Sequence, residues 1–400
     1  MTPALFLKRG REASIQRFHP WVFSGAVAQK SGTPTEGALV DVYTADGTYL
    51  ATGHYQEGSI AVRILNFAGP GLQSDFWITS LQKAYALRER LGLCGGSDTQ
   101  TTAYRLVHGE GDHLPGLVID FYQGVAVIQA HSAGMFVNRN QIVEALKHLY
   151  GKNLFAIYDK SAGTAPYKAG LTLQNGYLYK SPAFSNEVCT VVENGHRFIA
   201  DWEEGQKTGL FLDQRENRAL LEQMADGARV LNLFSYSGGF SIAALCGGAA
   251  LVHSVDSSQR AIDLLHKNID LNCATDNRHE AFVTDAFEFL KASSKGEYNT
   301  IVLDPPAFAK HADAKRNALQ AHKRLNAVAF DRIASGGIIF TFSCSQVVDK
   351  NDFALAVFSA AAISGRKVRI LHRLCQAPDH PVNIYHPEGD YLKGLVLYVE

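Results

Sequence analysis

Residues Val230 to Asp256, VLNLFSYSGGFSIAALCGGAALVHSVD, constrain the fold more than any other stretch of the chain. Val230 to Leu233 is a short apolar run, long enough for one buried strand. Ser235, Ser237, Gly238 and Gly239 follow as a small-residue turn, with room for another molecule's backbone or a phosphate-sized group. Phe240 to Cys246 then reads as an apolar helix that stops at Gly247-Gly248. Leu251 to Val255 is a second strand ending on Asp256, eighteen residues after Gly238. Strand, glycine turn, helix, strand and terminal acid form the adenosine-cofactor half of a doubly wound sheet, where the acid takes the ribose hydroxyls. The turn lacks the G-x-G-x-x-G pattern, which disfavours a pyrophosphate cradle for NAD. A plain parallel sheet with a tight turn and a solvated Asp256 satisfies the same residues, because such sheets host many functions.

The sheet continues downstream. A helix is expected over Gln259 to Asn272, a strand over Ala281 to Thr284 ending on Asp285, and another over Thr300 to Leu303 ending on Asp304-Pro305-Pro306. Ile338 to Phe342 ends on Ser343-Cys344-Ser345. Small or polar residues thus sit at the C-terminal strand ends, where open α/β sheets bind ligands. Two prolines make the turn after Asp304 stiff and remove its N–H donors, so a flat base edge can rest against the carboxylate.

Ahead of this lies a β-rich segment. Ala38 to Tyr43 and Thr48 to Tyr55 flank an Asp46-Gly47 turn, and Ile60 to Leu65 adds a strand. Residues 1–30 hold Lys8, Arg9, Arg11, Arg17 and Lys30 against Glu12, a local charge of +4, with Phe18, His19, Trp21 and Phe23 interleaved. Cations for phosphate beside rings for bases suit RNA, though a solvated turn with core aromatics reads equally well. After a linker at Phe67 to Gly71, a mixed α+β block carries a helix over Phe76 to Leu91 and another near Val137 to Leu149. Its strands are expected at Tyr104 to His108, Leu117 to Asp120, Val125 to Ala130 and Leu154 to Tyr158. Val188 to Glu193 and His196 to Asp201 form a hairpin over Asn194-Gly195, and EEGQKTGLFLDQRENR follows as a polar loop suited to lid contacts.

A chain of 400 residues, 46% of them hydrophobic, has room for two or three domains with real cores. The formal net charge of −1 excludes a global field for nucleic acid, so any such partner meets local patches, including Lys310 to Arg324 with five cations against Asp313. The six cysteines show no C-x-x-C and no clustered pair, against both zinc and a disulfide framework. His108 and His113 read as structural rather than metal-binding, so no metal is expected. The N-terminus lacks an apolar stretch for a signal or membrane span, and a cytoplasmic location is expected.

With NLFSYSGGF, Asp256, Asp285, LDPPAF and TFSCS in this order, the chain resembles S-adenosylmethionine-dependent RNA methyltransferases, and within them the 23S ribosomal RNA large-subunit methyltransferase I family, which makes 5-methylcytosine. EGDHLPGLVID, GQKTGLFLDQR and HPEGDYLKG extend the resemblance over essentially the whole length. It implies an α/β fold: a PUA-like small β-barrel over residues 1–70, a middle α+β domain over 71–187, and over 188–400 a class I methyltransferase Rossmann-like sheet with a leading hairpin. The implied cofactor is S-adenosylmethionine, with Asn232, Phe234, Tyr236, Gly238, Gly239, Asp256, Asp285, Ala286, Asp304, Asp213 and Gln214 as the candidate pocket. The implied partner is 23S ribosomal RNA, naked or in an assembling large subunit, touched by Lys8, Arg9, Arg11, Arg17, Lys207, Lys310 and Arg316. Oligomeric state is left open, a homodimer included. Two departures bear on the RNA contacts: Ala307 stands where the family commonly has Lys after Asp-Pro-Pro, and DKSAGTAPYKAG is less basic than usual.

Carbon 5 of cytosine is too weak a nucleophile to take a methyl group unaided. A thiolate adding to carbon 6 makes carbon 5 enamine-like. Cys344 is the one cysteine expected at a strand end on the ligand side, and in the TFSCS setting it is the candidate nucleophile, with Asp304 holding the base near N3. Related enzymes often carry a second cysteine near the Asp-Pro motif. Here those positions are prolines and Ala307, so the base that removes the C5 proton is unassigned. Two other readings stay open: a purine N-methyltransferase, which needs no thiol, and a non-catalytic RNA-binding protein that keeps a cofactor pocket.

Overall fold

The computed structural model describes residues 2–95, 100–166, 172–185, 189–274, 277–309 and 311–400. The chain divides into two compact units, one formed by Met1–Val191, Ala200–Leu212 and Pro378–Gly389, the other by Val192–Ile199, Asp213–Ala377 and Asp390–Glu400.

The first unit holds two sheets. One contains β1 (Ala4–Leu7), β2 (Trp21–Phe23), β3 (Val27–Ser31), β4 (Leu39–Tyr43), β5 (Tyr49–Tyr55) and β6 (Ile60–Asn66) in the order β2-β6-β5-β4-β1-β3. Its core is Leu5, Leu7, Val40, Val42 and Val62, all fully buried. The other contains β7 (Ala103–His108), β8 (Leu117–Tyr122), β9 (Val125–Ala130), β10 (Ala156–Asp159) and β11 (Gly176–Lys180) in the order β11-β10-β9-β8-β7. Helices Phe76–Arg90 and Arg139–Tyr150 cover it, packing Leu81, Ile142 and Leu146 onto Leu106, Ile119 and Ile128. Residues 378–389 belong to this unit although they lie late in the chain. Buried Arg88 explains part of that: its guanidinium grips the Asp112 carboxylate and also donates to the Asp379 carbonyl at 2.7 Å.

The second unit is built on a seven-stranded sheet. After the hairpin β12 (Thr190–Glu193) and β13 (His196–Ile199) come β14 (Arg229–Leu233), β15 (Leu251–Asp256), β16 (His279–Val283), β17 (Thr300–Leu303), β18 (Gly337–Ser343), β19 (Val368–Cys375) and β20 (Lys393–Val399). Their order is β16-β15-β14-β17-β18-β20-β19, with the first five parallel and β20 antiparallel to both neighbours. The strand order reverses at β14, between β15 and β17, and such a switch point opens a crevice at the C-terminal strand ends. Leu231, Leu233, Ile301 and Leu303 are fully buried, each burial worth about 1.5–3 kcal/mol. Connecting helices start where their caps dictate. Ser258 accepts from the Ala261 N–H, Asp285 from the Glu288 N–H, and Asp349 from the Asn351 and Asp352 N–H groups.

Candidate functional site

Five loops of the second unit gather at the C-terminal edge of the parallel strands. The first, after β14, is held in an unusual conformation: Phe234, Tyr236 and Gly238 have φ of 60°, 42° and 84°, so two non-glycine residues occupy the left-handed region. Backbone bonds over-determine it, with the Ser235 N–H reaching the Val255 carbonyl at 3.0 Å and the Gly238 N–H the Ser235 carbonyl at 2.8 Å. The glycines serve packing rather than the open space expected from the sequence. A Cβ on Gly238 would stand 2.7 Å from Leu265 Cγ, and one on Gly239 would stand 2.9 Å from Arg218 Cδ. Gly238→Ala is therefore expected to destabilise the protein by about 1–3 kcal/mol, the left-handed backbone and the clash adding. An unaltered urea midpoint for that variant would show that Leu265 and the turn relax freely.

Asp256 ends β15 with both carboxylate oxygens aimed. Oδ2 accepts from the Tyr236 N–H and Oδ1 from the Ser258 N–H, each at 2.9 Å. Each oxygen keeps a second lone-pair direction, so the carboxylate is oriented yet still able to accept from hydroxyls. Asn232 is buried, and its Nδ2 donates to Ser241 Oγ at 2.8 Å, the start of a chain through Ser254 to His279. Asn232 Oδ1 and Ser235 Oγ are buried without a hydrogen-bond partner, an arrangement that costs stability unless a polar ligand completes it. Asp285 lies exposed at a helix N-terminus, and Ala286 is buried as that helix's first residue. Asp213 and Gln214 are also buried, with Asp213 Oδ2 accepting from the Tyr391 hydroxyl and Gln214 Oε1 from Asn217, each at 2.6 Å. They brace the loop ends in the second unit. Tyr391 was not foreseen, since nothing local in the sequence pairs it with Asp213.

The other two loops meet each other. Asp304 is half-buried after β17, and Cys344, half-buried after β18, places its Sγ 3.9 Å from the Pro305 carbonyl oxygen. Ser345 Oγ donates to the Ala309 carbonyl at 2.7 Å and locks the two loops together. Burial pushes Cys246 up to about 12 and Cys189 up to about 11, and it raises Cys94, which makes them poor thiolates. Cys246 and Cys273 come within 3.9 Å as free thiols, a pair that no sequence motif announces. Cys375, which the sequence pattern leaves remote, ends β19, and β19 runs in the same direction as β18, so this thiol lies on the same sheet edge as Cys344.

In the first unit Lys8, Arg9, Arg11 and Arg17 are all exposed, and Phe18 and Phe23 show 49% and 47% of their surface. Tyr385, from the late segment, lies 5.4 Å from Phe18 and is 48% exposed, extending the aromatic surface. Lys207 is exposed over the Phe211 ring at 4.9 Å. In the second unit Arg316 is exposed near the start of helix Lys315–Arg332, while Lys315 is engaged with Asp349 and Asp352. That pairing offsets part of the positive charge expected there. Lys310 lies outside the described residues. Among the described residues no group of three metal-ligating side chains occurs, and no helix is long and apolar enough to cross a membrane.

The switch-point crevice, with the Asp256 carboxylate aimed at its edge beside the strained turn, has the form of an adenosine-cofactor site. Residues 104–388 match the family model described as S-adenosylmethionine-dependent methyltransferase, and residues 5–67 match a PUA-like domain. Proteins named ribosomal RNA large subunit methyltransferase I from Aeromonas hydrophila, Serratia proteamaculans and an Escherichia coli O157:H7 strain are 40%, 38% and 37% identical, over 99–100% of both chains. The chain belongs to the ribosomal RNA large subunit methyltransferase I family. Among solved structures, a methyltransferase in complex with SAH superposes over 100% of both chains with a TM-score of 0.84 at 23% identity, a likeness of fold.

S-adenosylmethionine fits the residues present. The Asp256 carboxylate keeps lone pairs that suit its ribose hydroxyls.

Proposed function

We propose that this protein methylates carbon 5 of a cytosine in 23S ribosomal RNA, with Cys344 as the covalent nucleophile. The observation that carries the reading is the meeting of Cys344 with the Asp304-Pro305 turn, Sγ to carbonyl at 3.9 Å, at the edge where the cofactor fits. When bound, S-adenosylmethionine supplies an electrophilic methyl group. The Cys344 thiolate adds to carbon 6, and its lone pair becomes the new S–C bond while the ring electrons move to carbon 5. Asp304 holds the polar edge of the base and favours its protonation at N3. After transfer, the C5 proton leaves to solvent, its bonding pair re-forms the ring double bond and expels the thiolate, and the N3 proton is given up in turn, which restores the neutral ring. A purine N-methyltransferase on this fold has no use for a thiol at that turn. A non-catalytic RNA-binding protein has no use for one either. Tritium transfer from labelled cofactor to RNA separates the last from both enzymes, and nucleoside analysis of the product separates those two. Recovery of methylated purine, or of no label, would overturn the proposal.

RNA is held by the basic and aromatic surface of the first unit. Lys8, Arg9 and Arg11 meet phosphate, and Phe18, Phe23 and Tyr385 offer faces for unpaired bases. Reversing Lys8, Arg9 and Arg11 to Glu is expected to weaken RNA binding and to flatten its salt dependence by about 2–3 units of log–log slope. Cofactor affinity stays unchanged. A slope equal to that of the wild type would remove these side chains from the phosphate contacts.

A further inference from the structure

Lys393 opens β20 with only 3% of its surface exposed. It stands directly opposite Ser343 in the pairing with β18 and opposite Cys375 in the pairing with β19. Its ammonium donates to the Ser345 carbonyl oxygen at 2.6 Å and to that of Val348, so one side chain spans the turn that carries Cys344. Two neutral carbonyls are an incomplete shell for a buried cation, which favours an anion nearby. The acidic neighbours are already committed: Asp390 pairs with Lys350 at 2.5 Å and Asp349 with Lys315 at 3.5 Å. Buried His322, on helix Lys315–Arg332, feels the charge of the amine, and burial pushes its pKa down to about 4, so it enters as a neutral ring. Burial likewise brings Lys393 down to about 8, against which the charge of Cys344 is the foremost opposing influence.

We propose that Lys393 is the positioning residue of the Cys344 turn, fixing the loop through two carbonyls and favouring the thiolate with its ammonium. This deepens the reading of Cys344 as nucleophile, and its test does not depend on that reading. Ionisation releases the thiol proton to solvent and leaves the electron pair on Sγ within the field of the cation. A retained cation makes that state easier to reach; a neutral side chain of similar length does not.

The test is alkylation of the full-length protein by iodoacetamide across a pH series, with each cysteine followed by peptide mass spectrometry. The Cys344 midpoint in folded wild type is expected below that of the same cysteine in the urea-unfolded chain. Lys393→Met is expected to raise it by about one pH unit, a tenfold slower reaction near neutrality, while Lys393→Arg keeps most of the effect. Cys246 and Cys273 keep their wild-type midpoints in both variants. A purely structural lysine would change the rate without moving the midpoint. A folded midpoint at or above the unfolded one, or identical midpoints for wild type, Met and Arg, overturns the proposal. The comparison of folded with unfolded wild type decides the matter even if Lys393→Met does not fold. Failure of Cys344 as the methyl-transfer nucleophile shows separately, as a Cys344→Ala protein that still methylates RNA.

Discussion

Replacing Cys344 with Ala is expected to abolish methyl transfer, by at least about three decades, while leaving cofactor and RNA binding near wild type. The thiol acts in the reaction rather than in the ground-state complex, so its loss appears in kcat and not in Kd. The side chain is small and half-buried, and its Sγ meets the Pro305 carbonyl oxygen only weakly, at 3.9 Å, so the truncation leaves the turn standing. Ser345 and Lys393 still hold that turn through the Ala309, Ser345 and Val348 carbonyls. The decisive measurement is trapping. RNA with 5-fluorocytosine at the target lacks the proton whose loss expels the thiolate, so wild-type enzyme is caught as an adduct after one methyl transfer. Cys344→Ala is not caught. Cys375→Ala is the stringent control, because that thiol ends a strand on the same edge, and it is expected to retain activity. An adduct mapping to Cys375, or turnover by Cys344→Ala, would remove Cys344 from the chemistry.

How much of this was legible in the sequence follows from which residues carry local signal. Parallel strands are buried on both faces, so Val230–Leu233, Leu251–Val255 and Thr300–Leu303 stand out as apolar runs, and they match β14, β15 and β17 within a residue or so. The Asn194-Gly195 turn was equally plain, and both residues have positive φ, 49° and 86°. Edge strands gave weaker signal. In β3 and β19 most side chains are exposed, VAQKS and VRILHRLC, so neither shows alternation or an apolar run. Helix Lys315–Arg332 was hidden by its own charges, which stand out as a basic patch, while the apolar stripe of Ala318, Leu325, Ala329 and Phe330 is interrupted by buried His322 and Asn326.

At the site, residues that terminate strands were legible and residues that brace them were not. Asp256, Asp304 and Cys344 each follow a buried run, so their placement follows from strand geometry alone. Lys393 and Tyr391 lie more than 45 positions after Cys344 and reach their partners only through the antiparallel return of β20. One signal was present: a lysine leading the buried run KGLVLYV is out of place unless something nearby wants its charge. The recruitment of residues 378–389 to the first unit had no comparable mark, because Asp379 and Arg88 are joined by tertiary contact across 291 positions.

Asp256→Ala is expected to weaken S-adenosylmethionine binding by about one to two decades, because a hydrogen bond to a charged acceptor contributes about 1.5–3 kcal/mol. The carboxylate also fixes the loop, since Oδ2 and Oδ1 receive the Tyr236 and Ser258 N–H groups at 2.9 Å. Truncation therefore removes the ribose acceptor and releases the strained turn whose Phe234 and Tyr236 sit at φ of 60° and 42°. Asp256→Asn separates the two effects. The amide oxygen still accepts one backbone N–H, while the charge and one acceptor are lost, so the intermediate affinity measures the ribose contact with the turn largely retained. Calorimetry on wild type, Asn and Ala is expected to give affinities in that descending order, with the melting temperature falling mainly for Ala. NAD is expected to give no heat in any of them, since the turn lacks a pyrophosphate cradle. Equal cofactor affinity across the three proteins would place the ribose elsewhere and leave Asp256 as a structural clamp on the Tyr236 turn.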